Sequence, residues 1–194
     1  MNGMTPKNRH AGFTMLELIM VVMIVGILTA VGTPTFKYVT ASNRISGEVN
    51  ALLGDMQYAR SQAIKTGQPV TICTSTDGTS CAATTVITWQ VGWIIFVDAN
   101  ANHTFDNAND TLLRAQPAFA GSDAFVATNA NYSYATYNRM GYAPTGAPGV
   151  INIQLHDSTG NNQWTRCLAV NTMGSVLTEK YGDKKFGSTT TSCL

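Results

Sequence analysis

One carboxylate stands where the sequence offers it no water. Glu17 lies near the start of an apolar run, residues 13–31, of about nineteen residues. That is close to the ~20 residues a helix needs to cross a bilayer. An ionised acid inside hydrocarbon is disfavoured by several kcal/mol unless it meets a partner or reaches the membrane edge. Lys7 and Arg9 precede the run and no acid does, which makes a short positive n-region. An ordinary secretory signal peptide would be cut behind the run, where TAVGTPTF offers small residues. A plain membrane anchor would not be cut at all. Neither accounts for Glu17.

Other residues of chemical interest lie further on. Residues 98–110 read DANANHTFDNAND. Asp98, Asn100, Asn102, Asp106 and Asp110 offer hard oxygens, and the start fits the D-x-[DN]-x-[DN] pattern of a calcium loop. His103 stands where such a loop has glycine, and Asn109 stands where it has a bidentate glutamate. The simpler reading is a loop between two strands whose Asx side chains bond their own backbone. No cofactor is expected; calcium at Asp98, Asn100, Asn102 and Asp106 is the metal alternative. Four cysteines, Cys73, Cys81, Cys167 and Cys193, permit three pairings. Their C-x7-C and C-x25-C spacings match no usual zinc pattern. Beyond the apolar run the histidines are His103 and His156. No G-x-S-x-G, H-E-x-x-H or P-loop is present, so no enzyme is expected. Trp89, Trp93 and Trp164 read as core or interface.

The elements that must hold these residues follow from the patterning. The chain has 194 residues, 44% hydrophobic and 12% charged, with a formal net charge of +1. This suits one modest globular domain plus an apolar segment, and it argues neither for nor against nucleic acid. Gly26 and Gly32 loosen the apolar helix, and Pro34 removes an i−4 hydrogen bond and predicts a kink. Ile45, Val49, Leu52, Leu53, Met56 and Ile64 recur at three- and four-residue steps and define one amphipathic face. Arg44, Glu48, Asp55, Arg60 and Lys65 are expected mostly away from it. One helix is predicted from about residue 14 to 65, stopped by Gly67 with Pro69 beyond. After it the texture is β: strands are expected within 69–75, 86–98, 111–119, 131–138, 149–157, 165–171 and 175–179. The alternation in VINIQLHD predicts a sheet with one wet face.

Gly12-Phe13-Thr14-Met15-Leu16-Glu17 resembles the processing site of type IV prepilins and pseudopilins. The resemblance implies cleavage between Gly12 and Phe13 by a prepilin peptidase, and N-methylation of Phe13. It implies that Glu17 is the buried acid that meets a neighbouring subunit's terminal amine during assembly. A proline where Pro34 stands is common in that family. YARSQAIKTGQPVTIC at 58–73, WQVGWIIFVDANANHTFDNANDTLLR at 89–114 and a terminal GSVL narrow the resemblance to the GspH/FimT group, which includes the FimT and FimU minor pilins and the H-type pseudopilin of type II secretion. The implied fold is α+β and type IV pilin-like, a long N-terminal helix packed on a C-terminal antiparallel β domain. Residues 1–12 would be a cleaved leader, 13–66 the helix with its transmembrane part at about 13–33, and 67–194 the periplasmic β domain. Proximity and the resemblance together favour the disulfides Cys73–Cys81 and Cys167–Cys193, in keeping with an oxidising periplasm.

The expected function is that of a minor type IV pilin, a structural subunit that helps begin pilus assembly at or near the filament tip. Its expected partners are other minor pilins, the major pilin, the prepilin peptidase and the inner-membrane assembly platform. The expected location is the inner membrane, single-pass with a periplasmic domain, and the extracellular pilus once assembled. The alternative within the structural class is the H-type pseudopilin. The alternative of another class is a DNA-binding pilin of natural transformation. Some FimT-type pilins bind DNA through a G-R-x-R-like motif, but the matching place here reads Gly174-Ser175-Val176-Leu177 and lacks both arginines. Lys180, Lys184 and Lys185 remain as candidate phosphate contacts.

Overall fold

A computed structural model describes residues 12–83, 85, 88–127, 132–143, 151–158, 160 and 162–182, the side chains of residues 33–35 excepted. Its first element is one helix, α1, Met15–Thr66. Gly67, at φ +68°, ends it by donating its N–H to the Ala63 carbonyl, as the sequence predicts. The backbone at Pro34 is helical; the proline ring, on which the expected kink turns, is among the side chains outside the described set. The chain forms two compact units, Met1–Thr40 and Ala41–Leu194. The boundary falls inside α1, so the second half of the helix belongs to the globular unit.

That unit holds two antiparallel four-stranded sheets. One runs in the order β3–β2–β1–β5, built from Thr111–Pro117, Gly92–Val97, Val70–Thr74 and Tyr134–Tyr137. The other runs β4–β6–β7–β8, from Ala124–Ala127, Ile151–His156, Arg166–Val170 and Val176–Lys180. A single core joins them to the helix: Ile45, Leu52, Met56 and Ala59 pack with Trp93 and Ile95 of one sheet and Phe125, Ile153 and Leu168 of the other.

β1 and β2 are buried along their whole length. The helix covers one face, and a second cluster of Cys73, Ile94 and Phe96 lies on the other, under Cys81, Phe105 and Tyr134. Burial on both faces is why VTICT and GWIIFV read as apolar runs without alternation.

Five expectations are corrected. Glu48 and Asp55 do not lie away from the apolar stripe: they are 7% and 5% exposed. They stand seven residues apart, two turns of helix, and so share one side. The two sheets wrap further round α1 than the stripe alone implies: Asp55 meets Trp93 and Arg114 of one sheet, and Glu48 meets Asp123 just ahead of β4. Ile64, assigned to the stripe, is exposed, while Ala59 and Ala63 are buried in its place. β6 has no fully wet face, since Asn152 is buried beside Ile151 and Ile153. β4 was not expected at all: with two alanines in four residues, its propensity signal is weak, and pairing with β6 makes it a strand. The expected strand at 86–98 is shorter too: Trp89–Val91 form a 3-10 turn before β2 begins.

Candidate functional site

The residues around Glu17 are described from Gly12 onward. Residues 12–14 carry no regular structure and the helix begins at Met15. An accessible, non-helical backbone ahead of a helix is what a peptidase requires. A Cβ placed on Gly12 would meet nothing within 4 Å, and Phe13 is 83% exposed. Thr14 caps the helix: its Oγ1 accepts the Glu17 backbone N–H at 3.2 Å. Thr14 and Glu17 thus have the T-x-x-E spacing of a capping box. The spacing is readable in the sequence, although Thr14 was not singled out there. The helix's unpaired N–H groups carry partial positive charge, so an acid in the first turn is favoured. Glu17 is that acid. Its position has a local reason as well as any reason in assembly.

Beyond it, side chains such as Leu18, Met20, Val22 and Ile27 are exposed all round the helix. This is the one helix among the described residues long and apolar enough to cross a membrane. Thr29 sits in it by donating its hydroxyl to the carbonyls of Val25 and Gly26, which satisfies a polar group without water.

The disulfide Cys73–Cys81 is present, with the α-carbons 5.7 Å apart. Cys167 is disulfide-bonded as well; Cys193 lies outside the described residues, as do Lys184 and Lys185. Lys180 is exposed at the end of β8.

The Asx loop turns its acceptors on its own backbone. Asp98, fully buried, accepts the N–H groups of Asn102 and His103 and the Thr71 hydroxyl. Asn100 takes the Asn102 N–H, and Asn102 takes that of Thr104. Asp106 accepts from Ala108, and Asp110 from Ala99 and Asp106. The bonds from Ala108 and the Asn109 amide hold the Asp106 carboxyl below its ordinary range. His103 adopts φ +64°, stacks on Tyr134 at 4.6 Å and reaches Thr136 at 2.8 Å. The loop is a lid folded back over the outer face of β1, β2 and β5. Among the described residues no three His, Cys, Asp or Glu side chains gather as a metal group.

The buried acids make two further constellations. Asp55 accepts from Trp93 Nε1 at 2.8 Å and pairs with Arg114, whose guanidinium lies 4.4 Å over the Tyr58 ring. They line a surface depression of about 710 Å3 with Asn50, Gly54 and Gln116, which has no nucleophile–base pair. Arg44 holds Asp123 by two hydrogen bonds of 2.5 Å. Glu48 sits beside them with one oxygen, Oε2, lacking a partner. Burial first, then the charge of Asp123 and a hydrogen bond to it, push the Glu48 carboxyl up to about 7 against the opposing pull of Arg44.

The family model described as type II transport protein GspH matches residues 48–174. The chain belongs to the GspH family. A second model, the prokaryotic N-terminal methylation motif, matches residues 7–33 of this GspH-family chain, the stretch that holds Gly12, Phe13 and Glu17. Two crystal structures of the Pseudomonas aeruginosa type IV minor pilin FimU are similar in fold. One is 20% identical, with a TM-score of 0.55 over 78% of this chain and 96% of that one. The other is 21% identical, with a TM-score of 0.51 over 78% and 99%. No curated protein sequence matches the chain. The family is one of structural pilin and pseudopilin subunits, not of enzymes, and its members associate with other pilins. The long helix on antiparallel sheets is the type IV pilin fold, and the apolar N-terminal helix fits membrane anchoring with a globular domain attached.

Proposed function

We propose that this GspH-family chain is a minor type IV pilin that takes part in starting pilus assembly at or near the filament tip. The observation that carries the reading is the methylation-motif segment, with Glu17 in the first turn of an otherwise exposed apolar helix. Cut between Gly12 and Phe13 by a prepilin peptidase, the chain would start two residues before the helix. A methylated Phe13 amine and the Glu17 carboxylate would then lie one helical turn apart along the chain. Between staggered neighbours the amine of one subunit meets the acid of the next. In a low-dielectric surrounding such a pair is held strongly, and an unmatched register leaves a charge buried alone. Glu17 thereby fixes register against other minor pilins and the major pilin, once the inner-membrane platform brings them together. The domain would face the periplasm before assembly and the exterior afterwards.

Glu17→Gln tests this. The variant should insert, be cut and fold as the wild type does, because losing a charge eases insertion. It should be absent from sheared filaments at equal membrane levels. Normal incorporation would end the register role. Mass spectrometry should find a mature chain that begins at methylated Phe13; a start behind residue 30 would mean a signal peptide instead.

The second reading is the H-type pseudopilin, favoured by the matched family's own description. Gene deletion separates the two: loss of pili with secretion intact supports the pilin, and the reverse supports the pseudopilin.

A further inference from the structure

Two turns of the globular unit share a sequence that the patterning above did not use. Residues 138–142 read NRMGY and residues 171–175 read NTMGS. Their hydrogen bonds match. In each, the asparagine N–H donates to the carbonyl four residues on, Tyr142 at 2.8 Å and Ser175 at 3.0 Å. In each, the glycine N–H returns to the asparagine carbonyl at 2.8 Å. Asn138 Oδ1 accepts the N–H of Tyr142, and Asn171 Oδ1 that of Ser175. Gly141 and Gly174 sit at φ +78° and +74°, a region that favours glycine.

The turns come from different sheets, one following β5 and the other joining β7 to β8, yet they stack. A Cβ on Gly174 would lie 1.9 Å from the Gly141 carbonyl oxygen. Ala143 donates its N–H to Thr172, and Arg60 of α1 donates to the Met173 carbonyl. The stacked backbone is rigid, and it holds two side chains outward: Met140 is 64% exposed and Met173 66%. Tyr142 and Ile64 border them, the latter against Gly141. The described residues of the globular unit carry seven large apolar side chains that are exposed, and four of them meet at this junction. A concentration of this kind on a rigid base marks an interaction surface, and methionine adapts its shape to an apolar partner.

Charge bears on the kind of partner this surface suits. Residues 57–68, 138–143 and 171–178 contain no acid, and they supply Arg60, Lys65 and Arg139. Arg60 already donates to a backbone carbonyl. The surface is apolar with a sparse cationic border, which suits an apolar patch flanked by carboxylates. A strand of phosphates would need a denser set of cations.

We propose that the paired turns 138–142 and 171–175 form a docking surface for an apolar, acid-flanked patch on a neighbouring pilin-family subunit. The proposal rests on the pilin reading above and adds the face through which the globular unit meets its neighbour. The test uses the full chain in a piliated cell. A photo-reactive phenylalanine at position 140 or 173 should crosslink to a protein that mass spectrometry identifies as bearing its own N-terminal methylation motif. The same group at Leu112, exposed on β3, should not. Met140→Asp and Met173→Asp should each lower incorporation into sheared filaments about tenfold or more, while Met→Leu at either site restores it. The Asp variants should keep the wild-type thermal melt. Normal incorporation of both Asp variants, without a pilin adduct, overturns the proposal. Adducts with DNA alone overturn it in favour of a nucleic-acid surface. Wild-type protein missing from filaments would instead overturn the pilin reading itself, and the docking proposal with it.

Discussion

Glu48→Gln should stabilise the globular unit at pH 8 and do little at pH 5. Glu48 is buried beside Asp123, which Arg44 already holds with both guanidinium contacts. The folded carboxyl is pushed from 4.5 to about 7, chiefly by burial and then by Asp123. A raised carboxyl pKa means the folded state binds the proton more tightly than the unfolded one. The stability from that proton is therefore full below pH ~4.5 and is lost as pH rises through about 7. Moving the carboxyl from 4.5 to about 7 sets a ceiling of about 3.5 kcal/mol, at about 1.4 kcal/mol for each tenfold in proton affinity. Water reaching the edge of the site reduces this to about 1–2 kcal/mol. Glutamine donates to Asp123 as the neutral acid does, and it never ionises. At pH 8 the urea midpoint of the variant should therefore lie about 0.5–1 M above wild type, for a slope of about 2 kcal/mol per M. The two midpoints should converge at pH 5. The assay is Trp fluorescence of the detergent-solubilised full chain, since Trp89 and Trp93 are fully buried. A variant that is less stable than wild type at pH 8 would refute the reasoning, because the Glu48 carboxylate would then be held by a favourable partner rather than penalised by burial.

Three other outcomes follow from the same geometry. Gly174→Ala adds a Cβ that would overlap the Gly141 carbonyl at a positive φ; it should destabilise by about 2–4 kcal/mol in urea melts, and a loss near zero would mean the turns separate freely. Non-reducing peptide mapping should join Cys73 to Cys81 and Cys167 to Cys193, and Cys73→Ser with Cys81→Ser should lower stability by about 2–3 kcal/mol for so short a loop; crossed pairs or free thiols would contradict this. Calcium at millimolar concentration or its chelation should leave the melting temperature unchanged, because the oxygens of Asp98, Asn102, Asp106 and Asp110 already accept N–H groups; a calcium-dependent rise of several degrees would reveal a site.

The N-terminal half of this protein was written in its sequence. The methylation-motif pattern, the apolar run and the stop at Gly67 depend on residues within a turn or two of one another, so local order preserves them. The Asx loop was legible for the same reason, since its side chains bond neighbours two to five residues away. What the tertiary structure decided were the groups whose partners come from far along the chain. Glu48 and Asp55 carry polar signals and read as solvent-facing, yet both are buried, Glu48 beside the buried Asp123 and Asp55 under the half-exposed Arg114, partners 75 and 59 residues away. β4 exists because β6 pairs with it, not because AFVA prefers to be a strand. The two N-x-M-G turns are 33 residues apart and nothing in their spacing requires them to touch. Only the closure of one sheet's edge on the other's hairpin brings their glycines together, because hydrophobic burial acts on area and does not respect distance along the chain.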